Sequence, residues 1–149
     1  MTEIRFYHLQ RKPLERALPE LLAKILEQGS RAVVMARSEE RVEFLAGQLW
    51  TYEDRAFLPH GSARDGRAER QPIWLTQTEE NPNGADVLVL TDGATSSMIG
   101  DYSIACELFD GNDPEIVAAA RTRWTWYKDA GHKLTYWQQT ERGGWEKRA

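Results

Sequence analysis

The first third of the chain changes between the apolar spacing of strands and that of helices. Residues 4–8 alternate between apolar and polar side chains and predict a short strand. Residues 14–25 carry leucine and isoleucine at helical spacing, and Gly29 is expected to end this helix. The continuous apolar run 32–36 predicts a buried parallel strand. Ser38 is a helix-capping residue type and opens a second amphipathic helix.

The rest of the chain predicts three strands and a final helix. Residues 73–75, 87–90 and 102–109 are apolar runs of strand length, bounded by turn-forming residues. Asp113-Pro114 predicts the start of a long helix that runs to about Ala130 and stops at Gly131. The remaining residues are polar and aromatic and are interpreted as a tail.

Strands that alternate with helices predict a parallel or mixed sheet covered on both faces. No internal repeat, low-complexity tract or linker divides the sequence, so we expect a single α/β domain over residues 1–149. Within it, residues 131–149 are predicted to be a C-terminal extension without an assigned role.

Composition narrows the function classes. The 149 residues are 41% hydrophobic and 28% charged, as in an ordinary globular domain, and their net charge of −4 disfavours a general nucleic-acid binder. The sequence has no signal-peptide pattern, no apolar run long enough to span a bilayer, and one cysteine, Cys106. We therefore expect a cytoplasmic protein without membrane contact or internal disulfide.

The sequence gives little support for a nucleotide-binding or metal-binding site. The glycine spacing of Gly61–Ala68 is similar to a phosphate loop, but Arg67 and Ala68 stand where Lys and Ser or Thr are needed. Asp92 follows a predicted strand and is interpreted as a turn residue, with a metal-binding carboxylate as the alternative. No histidine stands in a metal-binding pattern. We expect no functional phosphate loop, cofactor, metal ligand or catalytic residue.

The strongest functional pattern lies in the last predicted helix. Arg121, Trp124, Thr125 and Lys128 are three or four residues apart and share one stripe of that helix. Two cations beside an aromatic ring suit an acidic peptide with an apolar end, because the cations can bind carboxylates and the ring can line a pocket. The alternative is an ordinary core face with solvated charges opposite.

The chain resembles the chi subunits of bacterial DNA polymerase III. The resemblance rests on segments whose order and spacing match that family: Phe6-Tyr7, Gln48-Leu49-Trp50, Phe57-Leu58-Pro59-His60, Pro72-Ile73, Ala85-Asp86-Val87-Leu88-Val89, and the late helix from Ala120 to Gly131. It implies a Rossmann-like α/β fold without a working nucleotide site. It also implies a non-catalytic adaptor that links the clamp loader, through the psi subunit, to single-stranded DNA-binding protein (SSB).

The resemblance places the binding site for the acidic, Pro-Phe-ending C-terminal tail of SSB on Arg121, Trp124, Thr125 and Lys128, with Trp50 nearby. Arg121 would bind the terminal carboxylate, and Trp124 would border the pocket for the terminal Phe. The chain departs from the family pattern at Thr125, where a lysine is expected, and this change removes one cation.

The psi-binding surface is predicted at Phe57, Leu58, Pro59 and His60, because an apolar run broken by proline suits a sheet margin. Core packing of the first two residues is the alternative. Two other functions stay open. One is a nucleotide-binding enzyme with a degenerate phosphate loop, and the other is a direct single-stranded DNA binder that stacks bases on its tryptophans. In the adaptor hypothesis, DNA is reached only indirectly.

Overall fold

The computed structural model describes residues 2–51, 59–142 and 144–149. These residues form three α-helices, eight strands and two short 3-10 helices. The helices are α1 (Leu14–Glu27), α2 (Glu39–Thr51) and α3 (Pro114–Asp129). The strands are β1 (Glu3–Leu9), β2 (Ala32–Met35), β3 (His60–Gly61), β4 (Ile73–Thr76), β5 (Val87–Leu90), β6 (Ile104–Asp110), β7 (Lys133–Gln139) and β8 (Trp145–Lys147). The 3-10 helices span Ala68–Arg70 and Ile99–Asp101.

All described strands belong to one mixed sheet. Their order is β3-β4-β2-β5-β6-β1-β7-β8, and the pairings from β3 to β7 are parallel, whereas β8 pairs antiparallel with β7. The chain thus crosses over the sheet repeatedly, as parallel pairing requires. The predicted α/β class with a mostly parallel or mixed sheet is confirmed.

Helices cover both faces of the sheet. One buried cluster joins α1 and α2 to alternate strand residues such as Val34, Val89 and Leu108. The second cluster joins α3 to the intervening residues, which include Phe6, Leu88 and Phe109. This division follows from the period of two along a strand, which sends neighbouring side chains to opposite faces.

The sequence signals at the ends of α3 act as predicted. The Asp113 carboxylate accepts hydrogen bonds from the backbone N–H groups of Glu115 at 2.9 Å and Ile116 at 3.4 Å. These bonds satisfy donors that the first helical turn leaves open. After the helix, Gly131 adopts a φ of 89°, a left-handed conformation that glycine takes without steric cost.

The interpretation of residues 131–149 as a tail is wrong for their described part, because they add β7 and β8 to the sheet. Gln139, at the end of β7, is only 2% exposed. Its Oε1 accepts the backbone N–H groups of Gln10, Arg11 and Lys12 at 2.8–3.0 Å. The segment therefore secures the turn between β1 and α1. Sequence patterns could not show this role, since the three backbone donors that Gln139 binds lie more than 120 positions away in the sequence.

Candidate functional site

The exposed stripe of α3 carries three of the residues predicted to bind a ligand. Arg121, Thr125 and Lys128 are exposed, and Trp124 beside them is half-buried. The Thr125 hydroxyl donates to the backbone carbonyl of Arg121 at 3.3 Å, so it is bonded within the helix. Neither Arg121 nor Lys128 forms an ion pair with another described residue. Both cations are available to an external anion.

Trp124 stands on an aromatic floor formed by the sheet. Its ring meets the ring of Phe6, on β1, edge-on with 5.3 Å between centroids, and that of Tyr136, on β7, at 5.9 Å. Edge-to-face contacts of this kind fix ring orientation. One side of the Trp124 side chain is therefore held by the sheet, while its remaining surface lies beside the cations of the stripe.

A histidine and a tyrosine extend this floor below Arg121. Tyr136 Oη and His8 Nδ1 are joined by a hydrogen bond of 2.6 Å. Burial lowers the pKa of His8, and the positive charge of Arg121 lowers it further, against a backbone hydrogen bond with Gly111. Burial raises the pKa of Tyr136, and Arg121 opposes that rise. The charge of Arg121 therefore acts on both rings.

Sequence reasoning did not include His8 and Tyr136 in the site. The alternation along β1 indicates that His8 shares a face with Phe6, but nothing local shows that β7 lies beside β1. Tyr136 fell in the segment interpreted as a tail. Only the parallel pairing of two strands that are far apart in sequence brings these residues beneath α3.

A second arginine of α3 has the opposite environment. Arg123 is 7% exposed, and its Nε donates to a carboxylate oxygen of Glu107, a β6 residue that is 1% exposed. Burial raises the pKa of Glu107 to about 7, although the charge and hydrogen bond of Arg123 act to lower it. The arginine bound to an internal acid is thus Arg123, and Arg121 keeps its guanidinium at the surface.

The α3 stripe and its floor form a surface suited to a carboxylate next to an apolar group. Arg121 offers a planar set of N–H donors that can hold a carboxylate in two hydrogen bonds. The aromatic rings beside it offer contact area at low cost in side-chain entropy.

The structure does not bring Trp50 to the α3 stripe. Trp50 is 61% exposed at the end of α2, which packs on the other face of the sheet. Its ring lies 5.1 Å from that of His60 on β3. Trp50 therefore adjoins the segment predicted to bind psi. In that segment Pro59 is half-buried and His60 is buried, whereas Phe57 and Leu58 lie outside the described residues.

The glycine-containing segment after β3 folds back on itself. The Asp65 carboxylate accepts the backbone N–H of Ser62 at 2.9 Å, and the segment leads into a 3-10 helix at Ala68. A phosphate loop would lead into the N-terminus of an α-helix. Asp92 has a φ of 56°, and its carboxylate binds Arg41 at 2.8 and 3.2 Å. This geometry favours the turn interpretation of Asp92.

No three side chains of His, Cys, Asp or Glu within residues 2–51, 59–142 and 144–149 are grouped so that they could bind a metal ion. Of the helices described, none combines the length and apolar character needed to cross a membrane.

Comparison with known sequences gives one family. The family model described as "DNA polymerase III chi subunit, HolC" matches residues 1–135. The "Probable DNA polymerase III subunit chi" of Rickettsia prowazekii is 32% identical over 105 residues, which are 68% of this chain and 64% of that protein. The "DNA polymerase III subunit chi" of Pseudomonas aeruginosa is 26% identical over 137 residues, which are 90% of this chain and 94% of that protein. The chain thus spans less than two thirds of the Rickettsia relative.

Two solved structures of a different protein have a similar architecture. The C-terminal domain of Dbp5 from S. cerevisiae, solved with Gle1 and IP6, has a TM-score of 0.58 over 91% of this chain and 90% of that chain, with 9% identity. A second structure, of the C-terminal domain of the DEAD-box protein Dbp5, has a TM-score of 0.55 at 12% identity over the same shares. At such identities the likeness concerns the fold alone.

Proposed function

Because this chain belongs to the family of DNA polymerase III chi subunits, we propose that it is an adaptor that links the clamp loader to SSB. A chi subunit is an accessory subunit of the polymerase and does not itself catalyse the reaction. In this proposal α3 binds the acidic C-terminal tail of SSB, and another surface binds psi. The contact with DNA is indirect, through SSB.

One observation carries the proposal for the tail. Arg121 is exposed beside a half-buried Trp124, whose ring rests on Phe6 and Tyr136. A peptide that ends in phenylalanine presents a carboxylate and an aromatic ring on the same residue. Arg121 can bind the first, and the half-buried rings of Trp124 and Tyr136 can receive the second, so both groups are recognised by neighbouring side chains. Lys128 lies about two turns further along α3. It can attract the acidic residues that precede the end of the peptide.

For psi, we propose the sheet margin around β3. Of the described strands, β3 stands at one end of the sheet order, and Pro59 precedes it. The exposed Trp50 ring adjoins His60 there and adds apolar surface to this margin. This margin and the α3 stripe lie on different elements and toward opposite ends of the sheet order, so the two partners would not compete for one site.

The tail site is tested by titrating a synthetic peptide that has the acidic SSB tail sequence ending in Pro-Phe. Arg121→Ala should weaken binding about tenfold or more, because a charge-assisted bidentate contact is lost. Arg16→Ala is the matched control: Arg16 is also an exposed helical arginine, but it lies on α1, across the sheet. Equal affinity of the two variants would refute the site.

A second peptide, without the final Phe, separates pocket recognition from general charge attraction. If the aromatic floor receives the terminal ring, this peptide should bind far more weakly than the full tail at the same salt concentration. If both peptides bind alike and both lose affinity steeply with salt, only the charges are recognised.

A further inference from the structure

The C-terminal strand brings another cation to the edge of the α3 surface. Directly after β8, the backbone N–H of Arg148 donates to the Tyr136 carbonyl at 2.8 Å. In return, the Tyr136 N–H donates to the carbonyl of Ala149 at 3.2 Å. The antiparallel pairing thus continues past β8 and sets Arg148 opposite the tyrosine whose ring contacts Trp124.

The strand register decides to which face Arg148 points. In the antiparallel pair, Trp137 stands opposite Lys147 and Gln139 opposite Trp145. Directly opposed residues share a face of the sheet. Trp145 packs edge-on against Tyr7, 5.0 Å away, in the cluster of α1 and α2. Lys147 belongs to that same face, and Arg148, one residue on, belongs to the α3 face.

The charge of Arg148 is available there. Its only ion pair among the described residues is with Glu146, at 3.7 Å, and the two side chains are 54% and 56% exposed. An exposed pair at this distance is screened by water and contributes little. A peptide rich in carboxylates can therefore compete for the guanidinium.

We propose that Arg148 forms the second cationic wall of the peptide-binding surface, opposite Arg121 across the rings of Trp124 and Tyr136. The inference rests on the proposed binding of an acidic peptide and adds where that peptide runs: over the floor, between α3 and the C-terminal strand. Thr125 is the position of the stripe where the resemblance to chi subunits leads us to expect a lysine. Its hydroxyl is bonded to the helix backbone. Arg148, directly after β8, supplies a cation that position 125 does not supply from α3.

The structure provides a matched pair of variants. Arg148→Ala and Lys147→Ala each remove one exposed positive charge from adjacent positions, but from opposite faces of the sheet. In titration with the acidic tail peptide at low salt, Arg148→Ala should weaken binding about two- to fivefold, and Lys147→Ala should leave it nearly unchanged. The difference should shrink as the salt concentration rises.

Three outcomes are distinguishable. If both variants weaken binding equally, Arg148 acts only through net charge and the inference is wrong. If Arg148→Ala binds like the unaltered protein while Arg121→Ala is impaired, the tail site stands and the second wall does not. If the unaltered protein does not bind the peptide, or if Arg121→Ala has no effect, the proposed tail site itself fails.

A gain-of-binding variant tests the same geometry by adding a positive charge. Thr125→Lys adds a cation to the α3 side of the floor. Introduced into Arg148→Ala, it should restore affinity to within about twofold of the unaltered protein, because the two cations serve the same stretch of peptide. Failure of Thr125→Lys to raise affinity would show that the peptide does not pass between these positions.

Discussion

Two arginines on α3, only two residues apart, have opposite environments. Arg121 projects to the surface beside Trp124, whereas Arg123 turns toward the sheet and binds Glu107. The helix accounts for the difference: Ala120, Arg123 and Tyr127 recur at the spacing of the buried face, and Arg121 lies on the next stripe. Composition alone would treat both residues as binding cations. Their positions relative to the sheet bury Arg123 against an internal acid and leave Arg121 accessible to the proposed ligand.

Replacing each arginine by alanine should change the free energy of unfolding by very different amounts. Arg123→Ala should lower it by about 3–5 kcal/mol, because the buried Glu107 carboxyl would be left without its ion-pair and hydrogen-bond partner. Arg121→Ala should change it by less than about 0.5 kcal/mol, as expected for an exposed side chain away from packing contacts. Denaturant unfolding at neutral pH measures both. Similar losses in the two variants would contradict the assignment.

The buried pair should also give stability a dependence on pH. The pKa of Glu107 is raised in the folded protein from 4.5 to about 7, chiefly by burial. Between those values the folded state binds a proton that the unfolded state has released. The contribution of Glu107 to stability is therefore greatest below the unfolded pKa and falls as pH rises toward 7, by at most about 3 kcal/mol.

Comparison with Glu107→Gln isolates this effect. The glutamine variant does not titrate, so the unfolding free energy of the unaltered protein minus that of Glu107→Gln should decrease between pH 5 and pH 8. A difference that stays constant over this range would mean that Arg123 keeps the carboxylate ionised in the folded protein throughout.

Helical periodicity predicted the exposed stripe, because residues that share a helix face can be read from spacing alone. It could not identify the floor beneath it. His8 and Tyr136 are separated by 128 positions and meet only because β7 pairs with β1 after the α3 crossover. No local pattern specifies which strand follows which in a parallel sheet. Trp50 was expected near α3 from the resemblance to chi subunits, whereas α2, which carries it, packs on the opposite face of the sheet.

The buried surroundings of Arg123 and the exposed α3 stripe also differ in whether their polar groups have partners within the protein. Glu107 Oε2 and Tyr127 Oη are buried and have no hydrogen-bond partner among the described residues. At the surface, Arg121 and Lys128 form no ion pair with another described residue. Unmet hydrogen-bonding capacity in the core costs stability, whereas unmet charge at the surface remains available for a partner.

The smallest expected effect concerns the most exposed aromatic residue of α3. Trp126 is 60% exposed, more than Trp124, and exposure alone would make it the better candidate for binding. Its ring, however, makes none of the contacts with Phe6 and Tyr136 that hold Trp124 beside Arg121.

Trp126→Ala should therefore alter the affinity for the acidic tail peptide by less than about twofold, whereas Trp124→Ala should lower it about tenfold. Both are measured in the same titration, and the unfolding free energy of Trp126→Ala should stay within about 0.5 kcal/mol of the unaltered protein. A larger loss of affinity for Trp126→Ala than for Trp124→Ala would move the site to the outer face of the helix, away from the floor formed by the sheet.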